Sequence, residues 1–196
     1  MGYSIESTMA DCYEGTTCLK NKLNIQDEAK LTSLEKEITF VKAATLEHGF
    51  YKGNFDFTHY KAIHKYLFED LYEWAGMIRN VDISKQGTRF VKAKDIESVA
   101  NACFDRLKAE NYFKNLPQEI FVKKLVDFYC TTNLLHPFRE GNGRTQRAFI
   151  SQLVRNADYQ LDFSEIEMDE LMLATVQSAN GVTDYLTAIF KEKIKK

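Results

Sequence analysis

Only two prolines occur in this 196-residue chain, Pro117 and Pro137. Proline locks φ and lacks an N–H, so a chain almost without it is at liberty to run in long helices. The apolar spacing agrees. From about Asp27, Leu31, Leu34, Ile38, Val41 and Ala44 recur at three- and four-residue steps, one face of a helix, and Gly49 stands where a C-terminal cap belongs. "DFTHYKAIHKYLFEDLYEWAG" repeats the pattern with Ile63, Leu67, Leu71 and Trp74 inward and Gly76 ending it. Residues 94–112 and 118–135 predict two more helices, the second strongly apolar and central. "RTQRAFISQLVRNADY" predicts another, and shorter helices near 166–178 and 183–194 close the chain. The expectation is an all-α fold, a compact helical bundle in one domain over 1–196, with residues 1–26 as an arm on a helical core of 27–196.

One segment breaks the helical period. In "VDISKQGTRFVK", residues 81–92, Val81 and Ile83 alternate with Asp82 and Ser84, Gly87 interrupts, and Phe90 and Val91 resume. That is the pattern of a short β-hairpin projecting from the helical body. A lone hairpin buries little, so it suggests a surface that meets a partner, its exposed backbone edge able to pair with an extended peptide segment.

Composition excludes several classes. Apolar residues make up 44% and charged residues 28%, ordinary for a globular chain, and the net charge of −2 supplies no drive toward nucleic acid or an acidic membrane. No stretch approaches the roughly 20 apolar residues of a membrane helix, and the N-terminus lacks the pattern of a signal peptide. Gly2 is followed at position 6 by Glu rather than Ser or Thr, which argues against myristoylation. Cys12, Cys18, Cys103 and Cys130 are scattered without CxxC pairs, as idle thiols in a reducing compartment, so a cytoplasmic location is expected. His48, His59 and His64 form no metal-ligand spacing, and His59 and His64, on a predicted helix, are read as packing or surface histidines. Arg79, Lys85, Arg89, Lys92 and Lys94 make a basic patch around the hairpin, read as a solvated edge able to steer an anionic ligand.

The chemistry concentrates in "HPFREGNGRTQR", residues 136–147, between two apolar helices. Pro137 and the glycines at 141 and 143 forbid continuing the first helix. Gly-Asn-Gly admits unusual backbone conformations and lets N–H groups converge, and the next helix, beginning near Arg144, points its positive end at the same place. With Arg144 and Arg147 three apart on one helical face, this is a cradle for a polyphosphate. Glu140 would repel phosphate unless a divalent cation such as Mg²⁺ bridges the two. His136 is the only group here that titrates near neutrality, and so the candidate general base. Phe138 is assigned to packing that plugs the loop into the core. Base, metal carboxylate and phosphate cradle within twelve residues match phosphoryl or nucleotidyl transfer.

The stretch resembles the Fic family motif HPFx(D/E)GNGRxxR at every specified position. "YKAIHKYLFEDLYEWAGMIR", the flap-like "ISKQGTRF" and "CYEGTTCLKNKLNI" extend the resemblance over nearly the whole chain. The resemblance implies a helical Fic fold with a β-hairpin flap, and transfer of AMP from ATP to a hydroxyl of a target protein. Carried over by position, His136 would deprotonate the hydroxyl and Glu140 would hold Mg²⁺. Asn142 and the Gly141 and Gly143 amides would line the phosphate site, and Arg144 and Arg147 would contact the outer phosphates, Arg147 nearest the γ end. Ile83, Ser84, Lys85, Gln86, Gly87, Thr88, Arg89 and Phe90 would clamp the target. The family's self-inhibitory pattern, (S/T)xxxE(G/N), is not met: Glu14-Gly15 has Ala10 four residues earlier. The sequence therefore resembles the toxin half of a pair restrained by a separate small antitoxin. A topoisomerase is one candidate target, and no membrane or direct nucleic-acid contact is expected. The alternatives are a phosphotransferase of the same family and a non-catalytic ATP-binding module.

Overall fold

The computed structural model describes residues 4–5, 11–47, 53–85 and 87–196; Gly2, Ala10, His48, Gly49 and Gln86 lie outside the described residues. Along the chain run β1 (Ser4–Ile5), α1 (Glu28–Glu47), α2 (Phe57–Phe68), β2 (Ile83–Lys85) and β3 (Thr88–Arg89). Then follow α3 (Ile96–Ala109), α4 (Gln118–Leu135), α5 (Asn142–Asn156), α6 (Met168–Ala179) and α7 (Asp184–Lys193). The mostly helical architecture expected from the sequence is what forms.

α4 is the hub, packed against α3, α5, α6 and α7, while α5 also meets α1 and α2. Pro117 stands at its N-cap, where a missing N–H costs nothing, and Pro137 lies just beyond its C-terminal end. α4 buries Phe121, Val122, Leu125, Val126, Phe128, Tyr129 and Leu135. The loop between α4 and α5 is anchored by Phe138, fully buried and stacked on the rings of His64 (centroids 3.8 Å apart) and Tyr60 (5.8 Å). Burying a phenyl contributes about 1.5–3 kcal/mol, so the loop carries its own apolar anchor.

Two helices depart from the sequence reading. α2 ends at Phe68, although Leu71 and Trp74 continue the apolar period to Gly76. Lys42 of α1 explains the stop: its ammonium donates to the Tyr66 carbonyl (2.8 Å) and pairs with Asp70 (2.6 Å) and Glu69 (3.6 Å). A cation on the last carbonyls of a helix stabilises its end there. Leu71 is nevertheless buried, inside a turn whose carbonyl accepts the Lys22 N–H. On α1, the buried positions are Leu31, Glu35, Thr39 and Leu46, whereas Val41 and Ala44 face solvent. The helix is rotated to bury two polar side chains, Glu35 and Thr39, both of which meet Arg144.

The hairpin forms as expected but has a third strand. β1 pairs antiparallel with β2 (Ser4 opposite Ser84, Ile5 opposite Ile83), giving the order β1-β2-β3. The sequence reading of an arm missed this pairing, because two residues carry no legible strand period.

Candidate active site

The motif begins by ending a helix. His136 caps α4 in the left-handed region (φ 40°, ψ 59°), rare for a residue with a side chain. Its neighbours hold it there: its carbonyl accepts from Arg79 Nε (2.9 Å), and the next carbonyl, of Pro137, accepts the Arg79 N–H. Asn142, expected to line the phosphate site, commits both ends of its amide to Phe138, accepting its N–H and donating to its carbonyl at 2.8 Å each. Gly141, in the left-handed region (φ 78°), is the N-cap of α5 and offers no side-chain cap. A Cβ there would sit 2.2 Å from Phe68, so the loop passes where only glycine fits. α5 thus starts at Asn142, two residues before the expected Arg144, with its first N–H groups uncapped by any side chain.

His64 holds the loop from beneath. Gly76 N–H donates to its Nδ1 (2.8 Å), so the ring proton is on Nε2, which donates to the Glu140 carbonyl (3.0 Å). Burial, the largest influence, pushes this imidazole down to about 3, so it stays neutral. Its grip on the motif loop has no signal in residue spacing, which marks it only as a packing histidine.

A cavity of about 330 Å³ opens at the start of α5. Its walls include His136, Glu140, Gly141, Gly143, Arg144 and Arg147 from the motif, and Lys85, Thr88 and Phe90 from the hairpin. Met168, Leu171, Met172 and Thr175 of α6 complete it with a partly apolar wall that the motif did not announce. Of the other hairpin positions, Ile83 is buried, Ser84 half-buried, and Gly87 and Arg89 exposed.

Within it, His136 Nδ1 lies 3.0 Å from the Asn133 carbonyl, which only accepts. The proton is therefore on Nδ1 and the lone pair on Nε2, the tautomer a general base requires. The Phe90 ring stacks flat on the imidazole (3.7 Å, 12°). Burial pushes His136 down to about 3, opposed by the Asn133 bond and reinforced by the charges of Arg79 and Lys85. The expectation that it titrates near neutrality is corrected: the site keeps this base uncharged across the physiological range.

The two motif arginines have different surroundings. Arg147 is half-buried, and among the described residues no carboxylate pairs with it; burial pulls its guanidinium below its ordinary range. Arg144 reaches across to α1, where Nη2 pairs with Glu35 and Nη1 donates to Thr39 Oγ1 (3.2 Å). The Tyr72 hydroxyl donates to the other Glu35 oxygen, and the Arg144 guanidinium lies over the Phe68 ring at 4.8 Å. Glu140 sits 3.9 Å from Arg144, and one of its oxygens accepts the Gly141 N–H (2.9 Å). Arg79, read as part of a solvated basic edge, is instead buried.

Fold and cavity together define a class: helical domains with a glycine-rich loop and an uncapped helix start at the mouth of one cavity. Residues 54–154 match the profile of the Fic/DOC family, and the chain belongs to that family. It is 37% identical over 185 residues to "Probable protein adenylyltransferase Fic" of Salmonella typhimurium, covering 94% of this chain and 91% of the relative. It is 37% identical over 179 residues to "Protein adenylyltransferase VbhT" of Bartonella schoenbuchensis, covering 91% of this chain but spanning 37% of that longer protein. Among solved structures, the BepC protein of Bartonella tribocorum with bound AMPPNP superposes with a TM-score of 0.87 at 27% identity, covering 94% of this chain and 96% of that one. A Fic domain of Bartonella quintana with bound ADP gives 0.89 at 26% identity, with 94% of each chain covered.

Proposed function

We propose that this chain is a protein adenylyltransferase, transferring AMP from ATP to a hydroxyl side chain of a target protein. One observation carries the reading: a single cavity holds a neutral imidazole with its lone pair on Nε2, and an arginine with no carboxylate partner among the described residues, at an uncapped helix start. The family's relatives of that name and its nucleotide-bound structures support it.

The triphosphate lies along the first N–H groups of α5, Gly143 among them, while the Gly141 N–H, expected to join them, is taken by the Glu140 carboxylate; Arg144 stands at the outer phosphates and Arg147 at the γ end. The target hydroxyl oxygen attacks the α-phosphorus, the bond from that phosphorus to the oxygen bridging to the β-phosphate breaks, and pyrophosphate leaves. The hydroxyl proton passes to Nε2 of His136, a contribution of about 10²–10⁴ in rate. Glu140 is the carboxylate of the cavity wall, and the described residues include no cluster of three metal-ligating side chains. This fits Mg²⁺, which takes one or two carboxylates and otherwise phosphate oxygens and water. Glu140 would hold the ion, which would supply neutralisation of phosphate charge. The hairpin 83–90 presents the target segment beside His136. Because β1 occupies one edge of β2, that segment either displaces β1 or runs along β3.

We also read 1–196 as one functional unit acting in the cytoplasm, restrained by a separate small antitoxin, with a topoisomerase as one candidate target. Glu14 is exposed, which favours an external brake. No described helix is long and apolar enough to cross a membrane.

The test is to incubate the chain with bacterial lysate, Mg²⁺ and ATP labelled at the α- or the γ-phosphate, beside His136→Ala. A protein band labelled from α-ATP alone, and absent with His136→Ala, is the expected result. Label from γ-ATP alone moves the protein to phosphate transfer, and no label from either refutes both.

A further inference from the structure

Arg79 is a buried arginine outside the motif, on the segment that leads into the hairpin. Its guanidinium reaches three backbone carbonyls. Nε donates to His136 (2.9 Å), Nη1 to Val81 (2.7 Å) and Nη2 to Val91. Val81 and Val91 are the two feet of the hairpin, one before β2 and one after β3. Two backbone bonds reinforce the joint, Arg79 N–H to Pro137 and Val91 N–H to Leu134 (3.0 Å). Across the same joint, Phe90 lies flat on the His136 ring.

A guanidinium is a rigid planar fork with donors on three sides, suited to gathering three acceptors that converge. The carbonyl it takes on the loop belongs to a residue in the left-handed region, a strained conformation that persists only where neighbours hold it. Arg79 is therefore placed to do more than fill a core position.

We infer, on the basis of the transferase reading above, that Arg79 is a positioning residue for the transfer step: it fastens both feet of the hairpin to the carbonyl of His136, so that the docked target segment and the base are set as one body. Lysine keeps the charge but replaces the fork with a single ammonium, which cannot hold three carbonyls in one plane. The hairpin then shifts relative to the imidazole while the phosphate cradle, built from α5 and its preceding loop, stays in place. Misplacing reacting groups by about 1 Å costs on the order of a hundredfold in rate.

The experiment compares wild type with Arg79→Lys in three measurements. Transfer of α-label into the lysate band that wild type modifies should fall about ten- to a hundredfold. Affinity for a non-hydrolysable ATP analogue, by calorimetry, should stay within about twofold. The imidazole proton resonances of His136, assigned by their absence in His136→Ala, carry a ring-current shift from Phe90, and Phe90→Leu shows their positions without it. In Arg79→Lys they should move toward the Phe90→Leu positions, while the His64 resonances stay and report an intact core. If Arg79→Lys does not fold alone, saturating ATP analogue at lower temperature restores the folded population for the same spectra. Unmoved His136 resonances, transfer within twofold of wild type, or parallel loss of nucleotide binding would each overturn the inference. Failure of wild type to transfer α-label would instead refute the transferase reading, and the His136 resonances would still show whether Arg79 couples hairpin to loop.

Discussion

Replacing Glu35 by alanine removes the nearer of the two carboxylates at the Arg144 guanidinium, leaving Glu140 at 3.9 Å, and leaves the Tyr72 hydroxyl without its acceptor. A hydrogen bond to a charged group contributes about 1.5–3 kcal/mol, and a buried donor left without a partner costs about 1–3 kcal/mol. Tyr72 is 1% exposed, so its share is felt in full, whereas the Arg144 side chain is 25% exposed and water recovers part of its loss. Thr39 and the Phe68 ring also remain in contact with the guanidinium. The net cost should be about 2–4 kcal/mol, which lowers Tm by roughly 4–16 °C in a chain of this size. The assay is urea denaturation followed by circular dichroism on wild type, Glu35→Ala, Arg144→Ala and the double variant. The double variant should recover about 1–3 kcal/mol relative to the sum of the singles, the coupling expected of groups in contact. Additivity within about 0.5 kcal/mol would refute the argument, because it would mean the pair contributes nothing beyond separate packing.

Gly141→Ala should destabilise by about 2–5 kcal/mol, combining left-handed strain with a Cβ 2.2 Å from Phe68, and thermal melting reads it directly. His64 and His136 are both held down to about 3 by burial, so below pH about 6.5 the unfolded chain binds protons that the folded chain refuses. Their stabilisation is complete above pH 6.5 and is lost as pH falls toward 3, by up to about 1.4 kcal/mol per pH unit for each group. The slope of stability against pH between 6.5 and 4.5 should be shallower in His64→Gln, measured by denaturation at each pH. Over the same range kcat/KM should show no limb near 6.5 from His136.

How much could be read in advance follows the range of the forces involved. α4 appeared in the sequence with its observed ends, because apolar period and flanking prolines are local signals. The loop residues His136, Glu140, Gly141, Gly143, Arg144 and Arg147 were legible as one group because they are contiguous, and they do share one cavity. The end of α2 was not legible, since Lys42 that stops it lies on another helix. The burial of Glu35 on α1 had no sequence signal, because its partner Arg144 is 109 residues away. Arg79 looked like surface charge for the same reason: three carbonyls from three separate segments have no sequence signature.

The short strand β1 has a consequence for competition. A strand tethered to the same chain confronts the β2 edge at an effective concentration on the order of millimolar, whatever the protein concentration outside. Any outside segment that pairs with that edge has to outbid a resident that never diffuses away. The hairpin therefore sets an affinity threshold on that side, and peptides that dock weakly in isolation would be turned away however often they collide.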